Sequence, residues 1–201
     1  MKLRIHTSPF REALPEILTF FRCIFALIAV LYLGCFGYMT TRRTLYQMSA
    51  TQSFETHPSE PRRPTQSGPQ LLGRLAVPRL ALSAMVNEGV DEATLALAIG
   101  HIPGTPLPGK HGNVAVAAHR DTFFRPLKDL RPDDEIDFTT EKGEFRYRVT
   151  SMRIVDPDDV GVLRSSAEPQ LTMITCYPFD FFGHAPKRFI VQARQIGPRS
   201  L

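Results

Sequence analysis

Apolar and polar positions divide the chain into one long apolar run, a polar stretch and a series of short β-favouring segments. Residues 23–39 carry no charge. At about 1.5 Å per residue a helix of that length covers roughly 25 Å, and residues 17–21 extend it if the Arg22 stem reaches to the interface. A membrane-spanning helix over residues 23–41 is therefore predicted, after an N-terminal segment of residues 1–22. A cleaved signal peptide is the rival, since Gly34 and Gly37 lie near the end of the run. The apolar core exceeds the usual ~7–15 residues, however, and no A-x-A-like site precedes Arg42-Arg43, which favours an uncleaved anchor. Lys2, Arg4, Arg11 and Arg22 before the span outweigh Arg42 and Arg43 after it, so the N-terminus is expected in the cytoplasm and the rest of the chain outside.

Residues 42–70 are assigned to a linker, because Pro58, Pro61, Pro64 and Pro69 lie among Ser, Thr, Gln and Arg with little apolar material to bury. From residue 71 to about 195 the pattern is that of one β-rich domain, followed by a short tail over 196–201. Strands are predicted at 73–77, 82–88, 113–119, 134–138, 144–155, 171–178 and 187–193. In the fifth of these, Phe145, Tyr147 and Val149 alternate with Arg146 and Arg148, one face buried and the other wet. Asp91 can cap a short helix over 91–98, residues 123–130 give one or two helical turns, and 156–163 a turn or short helix. Residues 100–109 are dense in turn formers and read as an irregular loop. Seven or eight short strands with few helices argue for an all-β barrel or sandwich.

Composition, 43% hydrophobic and 22% charged, fits a chain that buries a core. The net charge of +4 changes meaning once it is divided along the chain. Residues 1–70 hold eight Lys/Arg against four Asp/Glu, and residues 71–201 hold sixteen of each. The neutral β domain lacks the positive footprint of a nucleic-acid binder, and that class is set aside.

The stretch Leu171-Thr172-Met173-Ile174-Thr175-Cys176-Tyr177-Pro178 carries the chemistry. Its period of two places Thr172, Ile174 and Cys176 on one face and Met173 and Thr175 on the other, and Pro178 stops the ladder. Cys23 and Cys35 lie in the predicted span, so Cys176 is the one thiol of the outer domain. An unpaired cysteine in an oxidising compartment is either buried inertly or used. A cysteine nucleophile needs a basic neighbour, and His119 ends another apolar strand. Arg188, at the start of the last strand, can return to the same rim and serve a developing oxyanion. His101, His111 and His184, with His119 and Cys176, raise a zinc alternative, but no pair has the close spacing of zinc motifs. No cofactor is expected. Asp156, Asp158 and Asp159 read as a charged turn and not as a calcium loop, and calcium dependence is left open.

His119-Arg120-Asp121-Thr122, the segment 171–176, Arg188 twelve residues beyond the cysteine, Gly100-His101-Ile102-Pro103-Gly104-Thr105 and Ala185-Pro186-Lys187-Arg188-Phe189-Ile190-Val191 together resemble the sortases, most closely their class D. The resemblance covers residues 71–193. Two departures are Ala118, where many members have Gly, and Met173-Ile174, where Leu and Val are frequent. The resemblance implies an eight-stranded barrel and a transpeptidase in which Cys176 attacks the Thr-Gly or Thr-Ala bond of a C-terminal sorting signal like Leu-Pro-x-Thr-Gly. On it, His119 handles the protons of the leaving and incoming amines, and Arg188 stabilises the oxyanion. Thr175, Ala118 and Tyr177 are expected on the substrate and oxyanion side. The Cys-His pair starts either as imidazolium and thiolate or as a neutral pair. The implied partners are proteins bearing a sorting signal and an amine acceptor, a cell-wall peptide or a pilin-like lysine. Two alternatives are an L,D-transpeptidase, whose cysteine follows a Ser-x-Gly turn absent here, and an anchored barrel that binds without catalysis.

Overall fold

Eight short strands with alternating faces bury their apolar side most completely when the sheet closes, because closure removes every exposed edge. That is the arrangement in the computed structural model, which describes residues 9–56, 70–181 and 183–198. The strands are β1 (Leu71–Val77), β2 (Leu82–Glu88), β3 (Ile99–His101), β4 (Asn113–Ala117), β5 (Glu135–Thr140), β6 (Gly143–Val155), β7 (Gln170–Tyr177) and β8 (Lys187–Pro198), with helices α1 (Pro9–Thr56) and α2 (Glu92–Leu97). They form a closed barrel in the order β1-β2-β3-β4-β7-β8-β6-β5. The barrel is filled by Leu75, Val86, Val114, Val116, Phe138, Tyr147, Leu171, Met173 and Val191, all essentially without solvent contact. Asp91 caps α2 as expected, accepting a hydrogen bond from the Thr94 N–H at 3.1 Å.

The structure corrects the expected loop at 100–109. Residues 99–101 form β3, parallel to β2 and antiparallel to β4. A three-residue bridge gives too little alternation to be read from sequence, and Gly100 permits it by close approach: a Cβ there would lie 2.3 Å from the Gly89 carbonyl oxygen. His101 then anchors the following loop, its Nδ1 2.7 Å from Glu88 Oε2 and its Nε2 3.0 Å from Thr105 Oγ1.

The chain divides into two compact units, Met1–Thr44 and Leu45–Leu201. In the first, α1 includes a segment long and apolar enough to cross a membrane, with its apolar side chains exposed. The expected linker is corrected in its first part, since α1 continues to Thr56. Every proline of that stretch lies at 58 or later, so nothing interrupts the helix before it. Within the second unit, residues 45–56 also gain partners on the barrel. Tyr46 donates its hydroxyl hydrogen to Asn87 Oδ1 at 2.8 Å. Gln47 accepts from the Met85 N–H at 2.9 Å and donates to the Leu97 carbonyl at 2.7 Å, supplying the bonds that the short β3 does not reach to make. Residues 57–69 of that linker lie outside the described residues. At the other end β8 runs to Pro198, absorbing residues 196–198 of the expected tail.

Two side chains give stability tests. Asp134 accepts hydrogen bonds from Arg79 and from the Arg131 N–H, and the Arg79 guanidinium holds its carboxyl below the ordinary range. A depressed folded pKa contributes stability that is full above the unfolded carboxyl value near ~3.9 and is lost as pH falls through the folded value. Asp134→Asn is therefore expected to lower the thermal midpoint at pH 7, with the gap to the unaltered chain closing below about pH 4; a constant gap down to pH 2 contradicts this. Tyr147 is buried, its phenol pushed well above the ordinary value by that burial, and its hydroxyl has no hydrogen-bond partner among the described residues. Tyr147→Phe is expected to raise unfolding stability by about 1 kcal/mol, read by denaturant titration.

Candidate active site

Strand register decides which side chains can meet. Leu171, Met173 and Thr175 of β7 point into the barrel, and their partners are Val114 and Val116 on β4 and Ala193, Val191 and Phe189 on β8. The alternate positions of β7, Thr172, Ile174 and Cys176, face outward. On that outer face Ile174 pairs with Ala117 of β4 and Ile190 of β8, and two residues on Cys176 pairs with Arg188. Cys176 and Arg188 thus pair across β7 and β8, and His119 follows the end of β4 by two residues at the same end of the sheet. All three are half-buried.

Local bonds hold these strand ends in place. The Ala118 N–H donates to the Ile174 carbonyl at 3.2 Å, and the Thr175 hydroxyl donates to the Ala118 carbonyl at 2.7 Å. This cross-link ties the end of β4 to the end of β7 one residue before the histidine and the cysteine. Directly after His119 the chain reverses, the His119 carbonyl accepting from the Phe124 N–H at 3.2 Å. The reversal leads into a 3-10 turn at Arg125–Asp129 whose start is set by Pro126. Arg188 Nη1 donates to the carbonyls of Ala185 at 3.3 Å and Lys187 at 3.1 Å, while its Nε and Nη2 have no partner among the described residues. The guanidinium is thus anchored by one nitrogen and keeps donors for another ligand.

The outer face is covered at the end of the strands remote from Cys176. There Asn113 donates to the carbonyls of Val162 at 2.9 Å and Arg164 at 3.2 Å and accepts from Thr172 at 2.7 Å. Ala115 and Thr172 are fully buried, whereas Ala117 and Ile174, nearer the cysteine, are half-buried. An extended chain laid along this face would therefore find its open end beside the thiol.

Ala118 and Thr175 face the interior, at 5% and 3% exposure, and the Ala118 N–H is bonded to the Ile174 carbonyl. They position the strand ends. The Tyr177 ring packs with Phe179 and Phe189, at centroid distances of 6.0 and 6.4 Å, as part of an aromatic cluster at the barrel rim. The zinc alternative meets His101 with both ring nitrogens beside protein partners. No group of three or more His, Cys, Asp or Glu that could hold a metal occurs among the described residues. All three cysteines are free.

One contributor escaped the sequence reading. Arg120 donates from Nη2 to the carbonyls of Phe181 at 2.6 Å and Gly183 at 3.0 Å, and its guanidinium carbon lies 5.8 Å from the Phe181 ring centroid. It fastens the β7–β8 connection to the turn after His119. Its sequence signal was its place directly after the candidate base.

A family model described as the sortase domain matches residues 75–196. Sortase D of Bacillus subtilis (strain 168) is 33% identical over 128 residues, covering 63% of this chain and 65% of that protein. Sortase A of Bacillus anthracis is 26% identical over 135 residues, covering 65% and 62%. The chain thus spans slightly less than two thirds of the length of these relatives. Among solved structures, a Clostridium perfringens sortase D5 transpeptidase has the same fold, with a TM-score of 0.63 at 24% identity over 78% of this chain and 99% of that one. Sortase E1 from Streptomyces coelicolor, with a tripeptide in its active site, superposes with a TM-score of 0.59 at 26% identity over 65% and 90%.

Proposed function

Because the chain belongs to the sortase family, we propose that it is a cysteine transpeptidase cleaving a C-terminal signal like Leu-Pro-x-Thr-Gly or Leu-Pro-x-Thr-Ala and passing the acyl group to an amine. The observation that carries this reading is the pairing of Cys176 with Arg188 across β7 and β8, with His119 two residues past the neighbouring end of β4. The Cys176 sulfur, its proton held by His119, attacks the threonine carbonyl, and charge develops on the carbonyl oxygen, where the free donors of Arg188 are suited to receive it. The C–N bond then breaks, His119 gives a proton to the leaving amine, and a thioester remains on Cys176. The acceptor amine attacks that thioester and loses a proton to His119, and the C–S bond breaks to restore the thiol site. The apolar part of α1 is the membrane anchor, with the N-terminus cytoplasmic and the barrel outside.

The full chain in detergent, incubated with a quenched fluorescent Leu-Pro-x-Thr-Gly peptide and stopped with acid, is expected to carry the acyl mass on Cys176. Absence of both cleavage and thioester would overturn the reading. Arg188→Lys is expected to slow thioester formation by about 10²-fold, because one ammonium cannot keep both the loop carbonyls and the oxyanion within reach of a planar fork.

A further inference from the structure

The end of α1, residues 45–56, carries a pattern of its own. Tyr46, Gln47, Ala50 and Phe54 recur at the spacing of one helix face and are buried or half-buried, whereas Leu45 and Met48 are 61% and 65% exposed. The surface this face meets is the outside of β2. Met85 and Asn87 alternate with the core residues Ala84 and Val86 and so point away from the barrel interior, yet they are 1% and 0% exposed. Arg74, which pairs with Met85 from β1, reaches Glu55 of the same helix at 3.4 Å. Tyr46 supplies the partner of the Asn87 amide oxygen, and the Asn87 Nδ2 has no other among the described residues, so losing Tyr46 would leave a buried carboxamide wholly unpaired.

Gln47 makes the contact with the longest reach. Its carboxamide accepts from the Met85 N–H at 2.9 Å and donates to the Leu97 carbonyl at 2.7 Å, one acceptor and one donor used as the peptide group of a further strand would use them. Leu97 ends α2, Ala98 and Ile99 follow without solvent contact, and Gly100 pairs with Ala117 of β4. Ala117 stands two residues before His119. The seam that Gln47 closes, between β2 and the entry to β3, therefore lies next to the strand end that carries the candidate base. With three residues, β3 has few bonds of its own to hold it there.

We propose that residues 45–56 are a working part of the catalytic domain and that Gln47 is a positioning residue, setting His119 through the entry to β3 and the end of β4. The inference rests on the transpeptidase reading above. Removing the carboxamide frees the Met85 N–H and the Leu97 carbonyl, loosens β3 and lets the end of β4 shift, which slows both proton transfers without removing any group that touches substrate.

The test uses the full chain in detergent and reads amide exchange together with turnover of the sorting peptide. Gln47→Ala is expected to speed exchange at residues 97–102 and 117–119 at least tenfold and to lower kcat about tenfold, with KM for the peptide changed less than twofold. Ser53→Ala, on the exposed side of the helix, should change neither. Gln47→Glu separates positioning from a general loss of packing. Its carboxylate still accepts from the Met85 N–H but has no hydrogen for the Leu97 carbonyl, so protection at 97–102, taken relative to the unaltered chain at the same pH, should recover as pH falls through the ordinary carboxyl range near ~4.3. Exchange and kcat both unaffected by Gln47→Ala, or faster exchange with normal kcat, overturns the proposal. If no thioester forms on Cys176 in the unaltered chain, the transpeptidase reading fails, while the exchange data still decide whether Gln47 holds β3 and the end of β4.

Discussion

Cys176→Ala is expected to reduce cleavage of the sorting peptide to the level without protein, a loss on the order of 10⁵-fold or more, while the barrel stays folded. The size follows from the pairing at the sheet rim. Removing the sulfur leaves the histidine and arginine in place with nothing to form the covalent intermediate, so the two-step path closes. Stability should change little, because Cys176 is half-buried on the outer face and belongs to no part of the packed interior. Thermal unfolding with a midpoint close to that of the unaltered chain, together with no acyl mass at residue 176, is the predicted pair of results. Residual thioester elsewhere would show that the nucleophile is another group.

His119→Ala is expected to lower transfer by roughly 10²–10⁴-fold, the usual range for losing a positioned proton donor and acceptor. The loss should appear at both steps, since the leaving amine needs a proton and the incoming amine must give one up. Added imidazole should restore part of the activity, because the space opened beside Cys176 lies on the exposed side of the sheet. A variant with normal thioester formation and normal transfer would remove His119 from the mechanism. Combining it with Cys176→Ala should cost no more than Cys176→Ala alone, as residues acting in one step are not additive.

The strand parity around Cys176 is legible in the sequence. The period of two in 171–178 put Cys176 on the face opposite Met173 and Thr175, and the barrel interior is occupied by Met173 and Thr175 as that parity requires. The strand ends predicted at 113–119 and 187–193 put His119 and Arg188 at one end of the sheet, where Arg188 pairs with Cys176. What was not legible depends on contacts between distant segments. Ala118 sits one residue from the base, yet the same alternation turns it inward, and its N–H is taken by Ile174 across a sequence gap no pattern reveals. The packing of the Tyr177 ring with Phe179 and Phe189 is likewise a contact that only the closed barrel brings together. The three residues of β3 are too few to show a period, and they are ordered by β2 and β4 on either side. Residues 42–56 have a composition compatible with linker or helix. The decision lies with Gln47 and Tyr46, which find the exposed backbone of β2 and the Asn87 amide.

The cross-link from Thr175 to Ala118 joins residues 57 positions apart, and Arg188 arrives on a strand that is the last to be synthesised. Pairing of that kind has high contact order and forms slowly. A chain emerging N-terminus first therefore has no closed barrel until β8 has inserted between β7 and β6, since only then does the sheet lose its open edges and Cys176 gain Arg188 as its neighbour. On the proposed mechanism, a copy clipped ahead of residue 187 would keep Cys176 and His119 yet lack Arg188 and is expected to be inert, so activity would wait until the barrel is complete.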